Sequence, residues 1–488
     1  MSAAPSLDRF PTRLVIGGER VDAKSGESFE VVNPATEEVL TSVAEAGTDD
    51  VDAAVRSALE TFESDAWRGT SARKRGEMLH RLGELCLRDI DELARLETLN
   101  NGKPVLESAI DVRLTAQTFK YYGGWADKVH GETIPVDGDF LNYTLREPLG
   151  VVGAIVPWNF PLSLASWKIG PAIACGNTVV LKPAELTPFT ALKMAELALE
   201  AGFPPGALNC IPGKGSVAGA ALVRHPDVAK IAFTGSTEVG REIMREGAAT
   251  VKRLSLELGG KSPNIVFADA DLDAAAKGAL NAIFYGKGEV CAAGSRLLVE
   301  ESVRGELQER ILARAKRMVA GDPLDPKTRL GAIVSSKQME RVLGYIEGAR
   351  KEGATLLSGG ARTPVNGKGY FVSPTIFGDV NADMTIAREE IFGPVLAMLT
   401  FDGGEEAAAQ LANRTIYGLA AGIWTRDIKK ALRTARAVKA GTVWVNTYNM
   451  YDAASPFGGF KQSGFGRDLG AQALEGYSQV KSVWVDLS

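Results

Sequence analysis

From Gly17 to Val43 short β-branched runs alternate with turn residues, as in LVIGGERVDAKSG and FEVVNPATEEVLTSV, a period that predicts hairpins at a sheet edge. The period then lengthens. Val51, Ala54, Val55, Ala58, Leu59 and Phe62 share one face at helical spacing, with Thr48 or Asp49 placed to cap the start. Further helical regions are predicted from about Ser71 to Glu97 and from about Val105 to Lys128. HGETIPVDGDFLNYTLREPLG then reads as a polar-tipped two-stranded arm, either a subunit contact or a surface hairpin.

Between residues 150 and 260 strand and helix alternate regularly. The runs VVGAIV, TVVLK, ALNCI and AKIAF, separated by segments of helical length, predict a parallel sheet with crossover helices. In one crossover Thr187 is placed to cap, Pro188 suits the first turn, and TALKMAELALEA runs to a stop at Gly202. A second α/β region follows ELGGKSP, with strands RLLVE, ATLLSG, VLAMLTF, AAGIWT and GTVWVN and helical segments such as SVRGELQERILARAKRMVA. No linker or repeat separates the halves, which predicts two α/β domains meeting at an interface, where ligand clefts usually lie.

Length and composition narrow the class. A chain of 488 residues exceeds one small core. With 45% apolar and 24% charged residues it reads as an ordinary globular protein. A net charge of -5 offers no basic field for nucleic acid or anionic membrane, so neither partner is expected. MSAAPSLDRFPTRLVIGG lacks the apolar core of a secretory signal and no run reaches membrane-spanning length, making the cytoplasm the expected location. Four scattered cysteines and three scattered histidines, His80, His130 and His225, argue against a disulfide framework and a metal site. They also argue against histidine as a general base, so a working cysteine needs another route to lose its proton.

One cysteine stands apart. In FYGKGEVCAAGSRLLV, Cys291 lies among Gly286, Gly288, Ala292, Ala293 and Gly294, small residues that permit a sharp turn and close approach to the sulfur. The alternative is a small buried apolar residue. FTGSTEVG follows a strand and opens a helix, so the amides of Gly235 and Ser236 are placed to hold a pyrophosphate oxygen, although the spacing is GxxxxG and a simple turn explains it too. In LKPAE, Lys182 and Glu185 are spaced to reach a ribose, or to form a surface ion pair; the carboxylate would disfavour a 2′-phosphate, which points to NAD over NADP. Asn159 in VPWNFP can donate to an oxyanion or simply serve a turn. Glu257, in an apolar strand before two glycines, suits a general base of raised pKa or a structural carboxylate.

Taken together, PWNFP, KPAE, FTGSTEVG, LELGGKSP, GxVCxAGSR, EEIFGPV and SPFGGFKQSGFGR resemble, in order and spacing, the NAD(P)-dependent aldehyde dehydrogenase superfamily. The likeness covers nearly the whole chain. It implies an α/β fold with a Rossmann-like coenzyme-binding domain (residues 1–124 and 149–259), an α/β catalytic domain (260–460) and a small β bridging, oligomerisation element (125–148 and 461–488). It further implies a homodimer or homotetramer, oxidation of an aldehyde to the acid with NAD, and a thiohemiacetal and a thioester on Cys291. Asn159 and the Cys291 amide would stabilise the oxyanion, Glu257 would activate the hydrolytic water, and Lys168 would belong to a proton relay. Trp158, Lys182, Glu185, Gly235, Ser236 and Gly240 would face the adenosine and pyrophosphate half of the cofactor, with Glu390 and Phe392 at the nicotinamide ribose and ring. Phe160, Leu164, Trp167, Val290 and Phe457, with the Tyr448 to Tyr451 loop, would line the aldehyde tunnel. That lining favours aliphatic or aromatic aldehydes.

Several positions depart from the family pattern. Gly286 and Glu289 stand where many members have asparagine and glutamine. A carboxylate two residues from Cys291 would raise the thiol pKa if it faced the sulfur, so Glu289 is expected to point away or be paired. Asp468 replaces a common glutamate, and LGAIVS, 330–335, lacks a frequent proline and carries no expected role. Two alternatives remain: a CoA-acylating relative, against which Glu257 argues, and a non-catalytic scaffold, against which the retained site residues argue.

Overall fold

A computed structural model describes residues 10–488. The expected absence of a secretory signal falls partly on residues 1–9, outside the described residues. Among the described residues no helix is long and apolar enough to cross a membrane.

The first sheet has eight strands, in the order Gly464–Phe465, Arg253–Glu257, Val228–Thr234, Val151–Ile155, Thr178–Lys182, Leu208–Cys210, Leu14–Ile16 and Glu19–Val21. Its five central strands run parallel, and the edges add antiparallel pairs. Every residue of Val151–Ile155 and Thr178–Lys182 is buried, as strands covered by helices on both faces require. The first parallel strand in sequence lies in the middle, with two later strands to one side and two to the other. The chain therefore reverses direction between Val151–Ile155 and Val228–Thr234, the switch point where an open α/β sheet binds ligands.

The second sheet orders Thr355–Ser358, Thr375–Gly378, Val395–Phe401, Arg296–Glu300, Pro263–Val266, Ala420–Trp424 and Thr442–Val445, parallel except at its first pair. Pro263–Val266 and Thr375–Gly378 are four-residue strands too short to show a period, and the sequence pattern omits both. The arm folds as Thr133–Ile134 and Phe140–Pro148, and the latter pairs along its whole length with the terminal strand Ser478–Asp486. Segment 461–488 thus divides: Gly464–Phe465 joins the first sheet and Ser478–Asp486 joins the arm.

Three local expectations change. The helix Thr48–Glu63 is headed by Gly47, whose N–H donates to Asp50 at 2.9 Å, so neither Thr48 nor Asp49 caps it. The region from Ser71 is two helices, Ala72–Arg88 and Ile90–Asn101, broken at Asp89, whose carboxylate takes Arg88 at 2.7 Å. In the helix Phe189–Glu200 the flanking residue is Pro188; the Thr187 hydroxyl has no partner, and the Phe189 amide is met from across the core by Asn100 at 3.3 Å. Its stop is as the sequence predicts, with Gly202 left-handed at φ 92°.

Candidate active site

The candidate residues gather where the two large sheets face each other. Trp158 and Asn159 follow the strand Val151–Ile155, and Gly235 and Ser236 follow Val228–Thr234, so both loops open at the switch point. Cys291 comes from the other sheet, in the turn between the helix Leu272–Phe284 and the strand Arg296–Glu300. Gly286 and Lys287 are both left-handed there, at φ 57° and 62°, and the Glu289 amide closes the turn on the Gly286 carbonyl at 3.0 Å. A side chain at Gly260 would come within 2.3 Å of the Cys291 carbonyl, so the GG of LELGGKSP is what lets the cysteine turn seat against the first sheet's exit loop.

Cys291 is partly exposed, whereas Cys86, Cys175 and Cys210 are buried. Desolvation, with Glu390 and Glu257 facing the sulfur, pushes the thiol up to about 12; the amides of Ala292 and Cys291 pull the other way. It rests as a thiol. Glu257 ends a strand, is buried, and has both carboxylate oxygens without hydrogen-bond partners. Burial first, then Asp468, raises it well above the ordinary carboxylate range, while Lys168 and Arg467 oppose the shift. A side chain at Gly458 would meet Glu257 Oε1 at 2.8 Å, so the glycine leaves room for the carboxylate.

Lys168 lies in the helix Pro161–Ala174 and pairs with Asp468 at 2.8 Å, both side chains 1% exposed. Asp468 thus has a definite place beside Glu257, which the sequence left open. Asn159 donates through Nδ2 to the Glu289 carbonyl at 2.9 Å. That bond fixes which end of the amide carries hydrogens and leaves its second N–H for another acceptor.

Glu289 is paired, as expected, and its partner is its neighbour but one: Lys287 Nζ lies 2.8 Å away, and the Val334 amide donates to Oε1 at 3.1 Å. Val334 belongs to the LGAIVS segment, to which the sequence assigned no role. The pair is buried, and burial lifts the Glu289 carboxyl and lowers the Lys287 ammonium, each opposed by the other's charge.

On the cofactor side, Lys182 Nζ stands 3.5 Å from Glu185, the lysine buried and the carboxylate 45% exposed on its side chain. Ser236 heads the helix Thr237–Gly247, its Oγ accepting from Val239 at 3.3 Å. The expectation for the Gly235 amide is corrected: it donates to the Glu257 carbonyl at 3.0 Å, extending the parallel ladder, and is not free for a pyrophosphate. A side chain at Gly240 would strike Leu258 at 2.6 Å, so the glycine lets the helix Thr237–Gly247 pack closely on Leu258. Glu390 accepts from the Gly260 amide at 3.1 Å, and burial raises it to about 7. Phe392 is left-handed at φ 61° and stands edge-on to Trp158 at 5.1 Å. Gln338 was not found from sequence; it donates to the Phe392 carbonyl at 2.7 Å from a helix that carries no motif.

These groups suit a dinucleotide. Glu185 and Glu390 are hydroxyl acceptors at separate places, Lys182 is a cation at the end of its strand beside Glu185, and the Ser236 helix start offers a positive dipole end. Among the described residues no group of three His, Cys, Asp or Glu side chains converges as a metal site would.

The residues expected along a tunnel form one apolar cluster with Cys291 packed against it. Trp167 meets Phe457 at 5.5 Å and Tyr451 at 6.3 Å, and Tyr451 meets Phe457 at 5.6 Å. Leu164 and Val290 are buried in the same cluster, and Phe160 stacks on Tyr285 at 6.3 Å. Tyr285 and Trp444, whose ring lies tilted against Tyr448 at 4.6 Å, were missed because isolated aromatics carry no spacing signal. The Tyr448 hydroxyl donates to the Ala292 carbonyl at 2.9 Å and ties the loop to the cysteine turn.

The profile of the aldehyde dehydrogenase family matches residues 21–483. The chain is 51% identical to human mitochondrial aldehyde dehydrogenase over 479 residues, 98% of this chain and 92% of that one. It is 49% identical to human retinal dehydrogenase 2, covering 100% of this chain and 94% of that one. A solved NAD+ complex of an aldehyde dehydrogenase from Bacillus cereus superposes with a TM-score of 0.97 at 49% identity, covering 100% of both chains.

Proposed function

Starting from the premise that this chain belongs to the aldehyde dehydrogenase family and oxidises an aldehyde to the carboxylic acid with NAD, we propose that Cys291 is the nucleophile, Glu257 the base and Asn159 an oxyanion donor. The observation that carries this reading is that Cys291 is the partly exposed cysteine among four, with Asn159 bonded to the Glu289 carbonyl two residues before it and Glu257 buried with both oxygens unpartnered.

Cys291 Sγ bonds to the aldehyde carbon, and the carbonyl oxygen becomes an oxyanion. The free N–H of Asn159 and the Cys291 backbone N–H donate to it. NAD, when bound, supplies the acceptor for the hydride that leaves the substrate carbon. What remains on Cys291 is a thioester. Glu257 Oε then takes a proton from water as the water oxygen attacks the thioester carbon, and the acid departs as the carbon–sulfur bond breaks. The thiol's raised pKa makes a base necessary for the first step too, and Glu257 faces the sulfur. Lys168 and Asp468 carry the proton onward from Glu257.

Lys182 and Glu185 hold the adenosine ribose, Ser236 the pyrophosphate, Glu390 the nicotinamide ribose, and Phe392 with Trp158 the ring's approach. We place the domain boundaries at 124/125, 148/149, 259/260 and 460/461, with Gly464–Phe465 returning to the first sheet and the three-stranded arm as the bridging element. Its exposed Phe140, Leu141, Val480, Trp484 and Val485 support a homodimer or homotetramer. Four free cysteines support a reducing compartment, the cytoplasm.

The substrate we propose is an apolar aliphatic or aromatic aldehyde, since the cluster around Cys291 is aromatic and the related retinal dehydrogenase is named for an apolar aldehyde. NADH absorbance with hexanal, benzaldehyde, succinic semialdehyde and betaine aldehyde tests both parts. Highest efficiency with the first two, abolished in Cys291→Ser, supports the reading. No NADH with any aldehyde despite NAD binding overturns the mechanism, and a preference for succinic semialdehyde overturns the apolar tunnel.

A further inference from the structure

Lys287 occupies a conformation that a lysine rarely adopts, left-handed at φ 62°, and its side chain is 2% exposed. Three oxygens surround its ammonium: Asn101 Oδ1 at 2.7 Å, Glu289 Oε2 at 2.8 Å and the Asn101 carbonyl at 2.9 Å. Two of its donors bond to Asn101, and Glu289 Oε2 stands beside it as the opposite charge of an ion pair. Asn101 in turn donates to the Trp158 carbonyl at 2.8 Å, and Asn159 donates to the Glu289 carbonyl at 2.9 Å. Val334 holds the other Glu289 oxygen from a third segment. The Lys287–Glu289 pair thus sits at a junction of the turn bearing Cys291, the loop bearing Trp158 and Asn159, and the end of the helix Ile90–Asn101.

We propose that Lys287 is a positioning residue, forming with Glu289 a neutral clamp that fixes the Glu289 carbonyl as the acceptor for Asn159 and so aims the free Asn159 N–H at the oxyanion. This rests on the proposed role of Asn159. Backbone strain at Lys287 persists because the surroundings over-determine it. A lone buried charge at either position has no solvent to relax into, and it recruits the nearest opposite group. The other charges facing the pair are Lys103 and Glu107, and neither can replace the missing member: Lys103 is held at 2.6 Å by Asp111 and at 3.2 Å by Glu97, and Glu107 is held by the Gly286 amide at 3.0 Å. Glutamine at both positions keeps donor and acceptor without charge. The pair therefore acts as a unit, and its two single variants are worse than the double.

The experiment compares Lys287→Met, Glu289→Gln and the double variant K287Q/E289Q in the full-length enzyme with hexanal and NAD. Each single variant is expected to lower kcat at least fivefold with the KM for NAD changed less than twofold, and the double to return within about threefold of wild type. Losses below fivefold in the singles, or a folded double no better than the worse single, overturn the proposal. Where a single variant does not fold, the double decides alone: its Cys291 alkylation profile is expected within half a pH unit of wild type, and a larger displacement overturns the clamp. A wild-type enzyme that binds NAD but makes no NADH with any of the four aldehydes refutes the proposed function itself, whereas an active wild type with uncoupled variants refutes only the clamp.

Discussion

Lys168 and Asp468, 300 residues apart in sequence, meet in a buried ion pair at 2.8 Å, and both bear on the charge of Glu257. Lysine favours the ionised carboxylate and aspartate opposes it. If Glu257 must be ionised to take a proton, its pKa sets the acid limb of the kcat profile. Asp468→Asn removes the like charge and leaves Lys168 to act on Glu257 alone, so the limb moves to lower pH. Lys168→Met moves it to higher pH. Profiles measured from pH 5 to 9 check both, and movement of the two variants in the same direction contradicts the arrangement.

On the role proposed for it at the nicotinamide ribose, Glu390 would trade stability for cofactor binding. Its pKa is about 7 in the folded chain against an ordinary 4.5, so the fold favours its protonated form. Stability contributed by that proton is present below pH 4.5 and is lost as pH rises to 7. Glu390→Gln keeps an acceptor for the Gly260 amide and never ionises. The variant is expected to be more stable than wild type at pH 8 by on the order of 2 kcal/mol, with the gap closing near pH 4. Urea melts at the two pH values measure this, and the KM for NAD should rise at least tenfold.

The aromatic cluster should discriminate by size. Trp167 touches both Phe457 and Tyr451, so Trp167→Ala removes the ring that joins them in the apolar cluster against which Cys291 packs. The KM for benzaldehyde is expected to rise at least tenfold while that for acetaldehyde changes less than threefold, because the smaller molecule reaches fewer of these faces. Equal effects on both substrates would mean that Trp167 supports the fold instead of the substrate.

The chain's own pattern revealed the parallel strands of the first sheet, part of the second sheet and the arm, and the small residues around Cys291 pointed to a displayed sulfur. It could not reveal contacts made across the fold. The Phe189 amide is met by Asn100, not Thr187, and the Gly235 amide is spent on the sheet ladder. Both are tertiary outcomes that local spacing does not encode. Glu289 was legible as a problem but its solution was not: residues two apart meet only because Gly286 and Lys287 turn left-handed. Glu390 and Phe392 entered through family likeness, since nothing in EEIFGPV marks them by periodicity.

The assignment of Cys291 as nucleophile and Glu257 as base is tested most directly by trapping. Glu257→Gln is mixed with NAD and excess hexanal, quenched in acid, digested and analysed by mass spectrometry. Hydrolysis is expected to stall, leaving one hexanoyl group as a thioester on the peptide containing Cys291, together with about one equivalent of NADH per site and little further turnover. Unmodified Cys291 with rapid continued turnover, or an acyl group on another residue, would contradict the account.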